Sequence, residues 1–464
     1  MTGLAEAIEG PSRNPLPVTD LGRFSLGMIG DRIFRDAPAL LLLIFMTGYL
    51  GVPPAMAGTA VFVPKFLIMF VDPMVGTLSD RLQTRWGRRV PLMFIGALLS
   101  SASIVLFFHA PRLSTPALEA TYMSCLIFVG FTGYSLYSVP YLTMASEIAS
   151  GEEERRRIMS WRVMSMAVGL CFSAFAGALV QALGGGIAGY ATMSWIYGGI
   201  CLVTMMGTVT AAARLRSLAS DGSGGEPAAS LLVQVRGVAA NRQYLRLLTV
   251  CFAQKLGEGV GYGSFAYFCI YVVEQPLSGI GLVVLASVAG QLVSQPAWLW
   301  ASRRWSAQAL YSVGVLGWCL NLVLWLAMRG HSSWWLIPLG LESGVAAGGF
   351  LMVTLAMLSD VLAADRARTG LNRDGIYSGV WSAMEKFAFA MGALVVGVSL
   401  GLFGFVESTN GAQTAQTPMA VFGIGFTYCG INMLIYLASI AAVYRVARQQ
   451  PRLAAGLPRA TTAA

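Results

Sequence analysis

The chain has 464 residues, 56% of them hydrophobic and only 11% charged, and carries a net charge of +9. A soluble domain is nearer a quarter charged, and apolar runs of the ~20 residues that cross a bilayer core recur along the whole chain. This excludes a soluble enzyme. Because the basic residues sit in short loops between apolar runs, the positive balance marks membrane topology and not a nucleic-acid partner.

Twelve spans are predicted, over 24–50, 57–79, 91–110, 118–145, 162–184, 191–213, 246–273, 279–301, 309–328, 333–358, 376–403 and 419–444. The first 23 residues are polar, with Pro and Gly, and no signal peptide is expected there. The loops after even-numbered spans hold nearly all the loop arginines, among them Arg81, Arg85, Arg88 and Arg89; the alternate loops hold only Arg112 and Arg329. Positive-inside bias then places both termini in the cytoplasm.

Span 1 reads Gly30-Asp31-Arg32-Ile33-Phe34-Arg35-Asp36. Asp31 with Arg35, and Arg32 with Asp36, are i, i+4 pairs that can neutralise each other on one helix. The other reading turns Arg32 or Arg35 into a cavity to bind an anionic group bidentately. Span 2 carries Lys65 and Asp72, nearly two turns apart on one face. Pro73 cannot donate to the Met69 carbonyl, which leaves a spare acceptor beside Asp72. Charge at membrane depth is costly and marks function by default, and a static ion pair between helices is the alternative. Asp80 at the end of span 2 is expected to pair with Arg88 or a neighbouring loop, as a contact that breaks and re-forms.

Tyr134, Tyr137, Tyr141, Tyr377 and Trp381 either stack on a ring-shaped solute or simply pack. Arg162 opens span 5, as a binding group or as a cytoplasmic anchor. Lys255 and Glu258 on span 7 are i, i+3 and suited to pairing. Glu342 on span 10 either meets a base from another helix or is protonated. Glu385 and Lys386 are adjacent, so they point about 100° apart and serve different partners. The seven cysteines lie in apolar runs without metal-ligand spacing; no metal site and no cofactor are expected.

The stretch 214–245 contains Ser220-Asp221-Gly222-Ser223-Gly224-Gly225, a flexible linker. It divides the chain into a six-span bundle over 1–213, a cytoplasmic linker and a second six-span bundle with a tail over 246–464. The halves echo each other: Met144-Ala145-Ser146-Glu147 matches Met357-Leu358-Ser359-Asp360. The fold class is an all-α membrane protein of twelve helices in two pseudo-symmetric bundles, the layout of a transporter with its site between the halves.

Gly76-Thr77-Leu78-Ser79-Asp80-Arg81 followed by Arg85-Trp86-Gly87-Arg88-Arg89 resembles the loop between spans 2 and 3 of the major facilitator superfamily, and specifically of its glycoside–pentoside–hexuronide:cation symporters. Asp360 to Gly379, Val139-Pro140-Tyr141 and Trp161-Arg162 resemble further landmarks of that family. The resemblance implies alternating access in a bacterial inner membrane, and symport of a small solute with H⁺ or Na⁺. It implies that Asp72 matches one of two coupling acids on span 2, with Ile68 in place of the other, which favours H⁺. It implies further that Lys386 lies near the cation site and Arg162 in the cavity. Where sugar-transporting relatives carry Lys-Asp, this chain carries Asp31-Arg32, which favours a solute bearing a carboxylate or phosphate. The expected binding set is Asp31, Arg32, Arg35, Asp36, Arg162, Lys255, Glu258, Glu342, Tyr377 and Trp381. Asp72, Lys386 and Lys65 are expected to couple, and Asp80, Arg81, Arg85, Gly87, Arg88 and Asp360 to gate. A monomer in contact with membrane lipid is expected. The competing readings are a lysophospholipid-like amphiphile transporter and a non-transporting sensor or assembly factor.

Overall fold

The structure is a computed structural model that describes residues 17–148, 152–215, 241–276, 278–328, 333–369, 374–409 and 414–447. Most of the predicted linker (216–240), the first sixteen residues, Arg329, His331, Arg373 and the side chains of Glu147, Glu152 and Arg155 lie outside the described residues.

The described residues are helical nearly throughout. Nine helices are long and apolar enough to cross a membrane, and a bent pair makes a tenth. The other two, Gly27–Gly48 (span 1) and Arg242–Tyr271 (span 7), carry much of the intramembrane charge themselves. The remaining spans are Pro54–Arg81 (2), Val90–Phe107 (3), Pro116–Ile148 (4), Glu152–Ala174 with Ala176–Ala182 (5), Gly186–Leu215 (6), Ser278–Ser302 (8), Ala307–Leu326 (9), Leu336–Thr369 (10), Asp374–Leu402 (11) and Pro418–Ala447 (12).

Three spans depart from the simple rods expected. Span 1 begins at Gly27 instead of residue 24, after a separate helix Val18–Ser25. The Thr208 hydroxyl donates to the Phe24 carbonyl (2.9 Å) and accepts from Gly27 N–H (2.7 Å) at that junction. Gly27 is needed because a Cβ there would sit 1.7 Å from the Tyr137 hydroxyl. Span 5 bends by 43° between its two helices. There the Tyr197 hydroxyl donates to the Phe172 carbonyl and competes with the helical ladder. Span 12 widens into a π-helix over Phe426–Ile431. The Asn432 amide donates to the Tyr428 carbonyl (2.9 Å), satisfying a carbonyl within the widened turn.

The helix pairings repeat. Span 1 packs on spans 5 and 6, span 2 on span 4, and span 3 on spans 4 and 6. Span 7 packs on spans 11 and 12, span 8 on span 10, and span 9 on spans 10 and 12. Advancing every span by six converts the first set into the second. The two sets meet where span 2 packs on span 11, span 5 on span 8 and span 1 on span 7, a pattern with the same symmetry.

Among the described residues, the backbones of the two sets approach closely at the arginine-poor ends. A Cβ on Gly58 would lie 2.6 Å from the Ala393 carbonyl and one on Gly397 2.3 Å from the Pro54 carbonyl, so small residues let spans 2 and 11 meet. Thr47 and Tyr267 share a hydroxyl hydrogen bond of 2.7 Å, Ser408 N–H donates to the Thr47 carbonyl (2.9 Å), and Arg112 donates to the Thr409 carbonyl. Towards the arginine-rich ends the contact lapses: a Cβ on Gly379 meets nothing within 4 Å, and one on Gly76 meets only Val139 of span 4.

Candidate substrate and coupling site

A cavity of about 200 Å³ lies where spans 1, 2, 4, 7 and 11 converge, lined by Arg35, Lys65, Ile68, Phe131, Tyr134, Lys255, Glu258, Ser382, Glu385, Lys386 and Phe389. Four lining cations face two lining carboxylates. The remaining negative charge stands behind the wall.

Asp72 is held from two sides. Ser135 Oγ of span 4 donates to Oδ1 (2.5 Å) and Lys386 Nζ of span 11 donates to Oδ2. That ion pair joins the two helix sets. The neighbouring Glu385 turns to another partner: Lys255 Nζ lies 3.8 Å from Glu385 Oε1 and 2.8 Å from Glu258 Oε2.

On span 1 the expected Asp31–Arg35 pair does not form. Arg35 Nε donates to its neighbour Asp36 Oδ1 (2.8 Å), and Arg32 Nη1 lies 3.6 Å from Asp36 Oδ2. Asp31 instead accepts from the Tyr134 hydroxyl, and Arg32 also reaches the Met166 sulfur at 2.6 Å. Asp36 is thus the shared anchor of both arginines, with Arg35 left at the cavity wall.

Lys65 has no such anchor. Its Nζ lies over the rings of Phe131 (5.0 Å) and Phe389 (5.8 Å), one from each helix set. Among the described residues no carboxylate comes within 4.0 Å of it. Each ring contributes about 0.5–2 kcal/mol, far less than a paired carboxylate offers a buried ammonium. Lys65 therefore presents an unspent positive charge to the cavity.

Other predicted residues stand elsewhere. Tyr377 and Trp381 are core residues: Tyr377 accepts from Asn241 (3.2 Å), its carbonyl accepts from Tyr244 (2.5 Å), and both side chains are buried in the cluster around Tyr244 and Trp298. Glu342 is bonded by Asn321, a span away from the charged cavity. Arg162 lies over the Tyr141 ring (4.8 Å) with the sulfurs of Met159 and Met28 at 3.6 and 3.7 Å, off the cavity wall. Tyr137 and Tyr141 stack on each other in the core, and only Tyr134 of that series lines the cavity.

At the arginine-rich loop, Asp80 meets Arg89 (3.4 Å) and not Arg88. Gly87 turns the chain at φ +93°, a conformation that suits glycine, and Thr84 closes the turn by donating to its carbonyl (2.8 Å). Arg85 lies over the Trp86 ring, while Arg81 and Asp360 are exposed. The buried acid in the last turns of span 10 is Asp365, bonded by Arg368 (2.8 Å). Its i, i+3 spacing to Arg368 was a readable signal. Ser135 had none, since a serine in a span usually bonds its own helix.

The family described as MFS/sugar transport protein matches residues 23–447. The chain belongs to this family. It is 24% identical to an isoprimeverose transporter of Lactiplantibacillus pentosus, covering 96% of this chain and 92% of that one. It is 23% identical to the glucuronide carrier protein homolog of Escherichia coli K12, covering 89% and 90%. The solved nucleoside transporter NupG shares the fold, with a TM-score of 0.62 over 93% of this chain and 99% of that one, at 13% identity. The loop signature and these relatives place the chain among the glycoside–pentoside–hexuronide:cation symporters. It is an integral membrane transporter and not an enzyme.

Proposed function

We propose that this symporter carries a small anionic sugar derivative, of the hexuronide class, together with one proton. The observation that carries the reading is the pairing of a crossing Asp72–Lys386 ion pair with an unpaired Lys65 on the same cavity. Lys65 and Arg35 offer the solute carboxylate a charge-assisted cradle. Lys386 completes it once Asp72 lets go. The name of the glucuronide carrier homolog agrees with an acidic sugar.

Coupling then follows from competition for one ammonium. While Asp72 is ionised, Lys386 is held by it. A proton on Asp72 Oδ2 removes the attraction and frees Lys386 for the solute anion. Proton and solute are thus bound together or not at all. Loss of both to the cell interior lets the pair re-form across the two helix sets. Sodium is disfavoured because, among the described residues, Ser135 is the one side-chain oxygen bonded to Asp72 and Ile68 fills the next turn, whereas hard cations need several oxygen ligands.

We place the protein in a bacterial inner membrane with both termini cytoplasmic, as two six-span bundles joined by the 214–245 linker. On that orientation the arginine-poor contacts form the closed outer gate and the splayed ends of spans 2 and 11 open to the cytoplasm. Counterflow in proteoliposomes with glucuronate, neutral glycosides and lysophospholipid tests the solute class. Exchange of glucuronate alone supports it; exchange of lysophospholipid alone overturns it.

A further inference from the structure

A second cavity, about 210 Å³, lies on the other side of spans 1 and 7, against spans 8, 9, 10 and 12. Nothing in the coupling scheme uses it. Its position is the symmetry mate of the charged cavity, and the match extends to individual residues. Aligning Pro73 of span 2 with Pro296 of span 8 sets Lys65 opposite Val288, Ile68 opposite Gln291 and Asp72 opposite Gln295. The same register sets Arg35 of span 1 opposite Glu258 of span 7. Lys65, Ile68 and Arg35 line the first cavity; Val288, Gln291 and Glu258 line the second.

The chemistry is inverted between the mates. In the first, the charged positions do the polar work and Ile68 is apolar. In the second, Lys65 is replaced by Val288, and the Gln291 amide stands at the position of Ile68, with Ser287, Asn321 and Ser343 as further neutral polar groups in the wall. The remaining walls mix aliphatic side chains with aromatic ones, including Trp318, Tyr428 and Tyr436, with Tyr428 carried by the π-helical turn of span 12, and the Glu258 carboxylate at the edge is engaged by Lys255 at 2.8 Å. Neither the Gln291 amide nor the Ser287 hydroxyl makes a side-chain hydrogen bond among the described residues, so both retain their bonding capacity. Aromatic walls with a few unspent neutral polar groups suit an uncharged, hydroxyl-bearing ring. Glu258 lines both cavities and marks where they adjoin. Each cavity alone is smaller than the roughly 300–1,000 Å³ of ordinary small-molecule sites, and the two together fall within it.

From this we infer that the transported solute is bipartite, with its acid-bearing unit in the charged cavity and an uncharged ring in the aromatic one, where Gln291 is a specificity-determining contact. The inference rests on the anionic-solute reading above for its first half only.

The test uses purified full-length protein and three probes: glucuronate, an aldobiouronic acid in which the same uronate is linked to a neutral xylose, and methyl xyloside, which offers the ring alone. The wild type binds the two-unit acid about tenfold more tightly than glucuronate. Gln291→Ile, which copies the mate position, removes that advantage and leaves glucuronate affinity unchanged, a difference that a general loss of structure does not produce. In Gln291→Cys, methyl xyloside slows alkylation at position 291. If glucuronate fails to bind while methyl xyloside still protects, the anionic reading falls and the aromatic subsite stands. If glucuronate binds but methyl xyloside gives no protection, or Gln291→Ile weakens both acids equally or neither, the subsite is overturned.

Discussion

The charged and the aromatic cavity occupy equivalent places in the two halves of one pseudo-symmetric bundle, yet only one carries a free cation. Across the pair, Lys65 becomes Val288 and Asp72 becomes Gln295, while the helix-breaking Pro73 and Pro296 stay in register. The backbone device is therefore shared, and the cations are confined to one side, with the Glu258 carboxylate on the border of both. Charge at membrane depth costs several kcal/mol. A single coupling centre incurs that cost once and leaves the mate cavity free for neutral recognition.

Removing the coupling acid breaks the comparison most severely. An imposed gradient of about two pH units is worth ~2.7 kcal/mol per proton, or ~100-fold accumulation. Asp72→Asn is expected to lose that accumulation while retaining counterflow, measured with labelled glucuronate in proteoliposomes. Next, Lys65→Gln is expected to weaken glucuronate binding about 30-fold, on the order of 2 kcal/mol for a hydrogen bond to a charged group. A neutral glycoside should bind as before, and titration calorimetry with both ligands separates the two outcomes.

A smaller effect is expected at the Lys255 hub. Lys255→Met leaves Glu258 and Glu385 without their shared cation. Both carboxylates are about one-third exposed, so the loss is about 1–2 kcal/mol and not the 3–5 kcal/mol of a fully buried pair. Thermal unfolding in detergent should show a fall of a few degrees. The smallest effect belongs to the arginine-rich loop. Asp80 is 65% exposed, so Asp80→Asn costs within about 1 kcal/mol. It should shift the balance of inward and outward states, read as cysteine accessibility along span 2, without removing binding.

Much of this was legible in the sequence because charge is so rare in it. Lys65, Asp72 and Lys386 stood out against apolar spans, and the Arg-Trp-Gly-Arg loop identified the family. What stayed illegible was the choice among partners of similar reach. Asp31 and Arg35 have the spacing of a pair, but Tyr134 from span 4 reaches Asp31 and leaves Arg35 to Asp36. Tyr377 and Trp381 are aromatics in a span, a pattern shared by packing and binding; three-dimensional contact with Tyr244 and Asn241 decided for packing. The bend in span 5 and the π-helical turn in span 12 arise from side chains bonding backbone carbonyls, Tyr197 on Phe172 and Asn432 on Tyr428. The second requires only local sequence, the first a partner from another span.

In the proposed cycle, one proton on Asp72 frees Lys386 for an anionic solute. Its most direct test is the pH of a weakly buffered medium outside proteoliposomes when glucuronate is added down its gradient. Alkalinisation is expected in the wild type without added Na⁺, and none in Asp72→Asn although counterflow persists. Uptake that demands Na⁺ and leaves the external pH unchanged, or alkalinisation that survives Asp72→Asn, would contradict it.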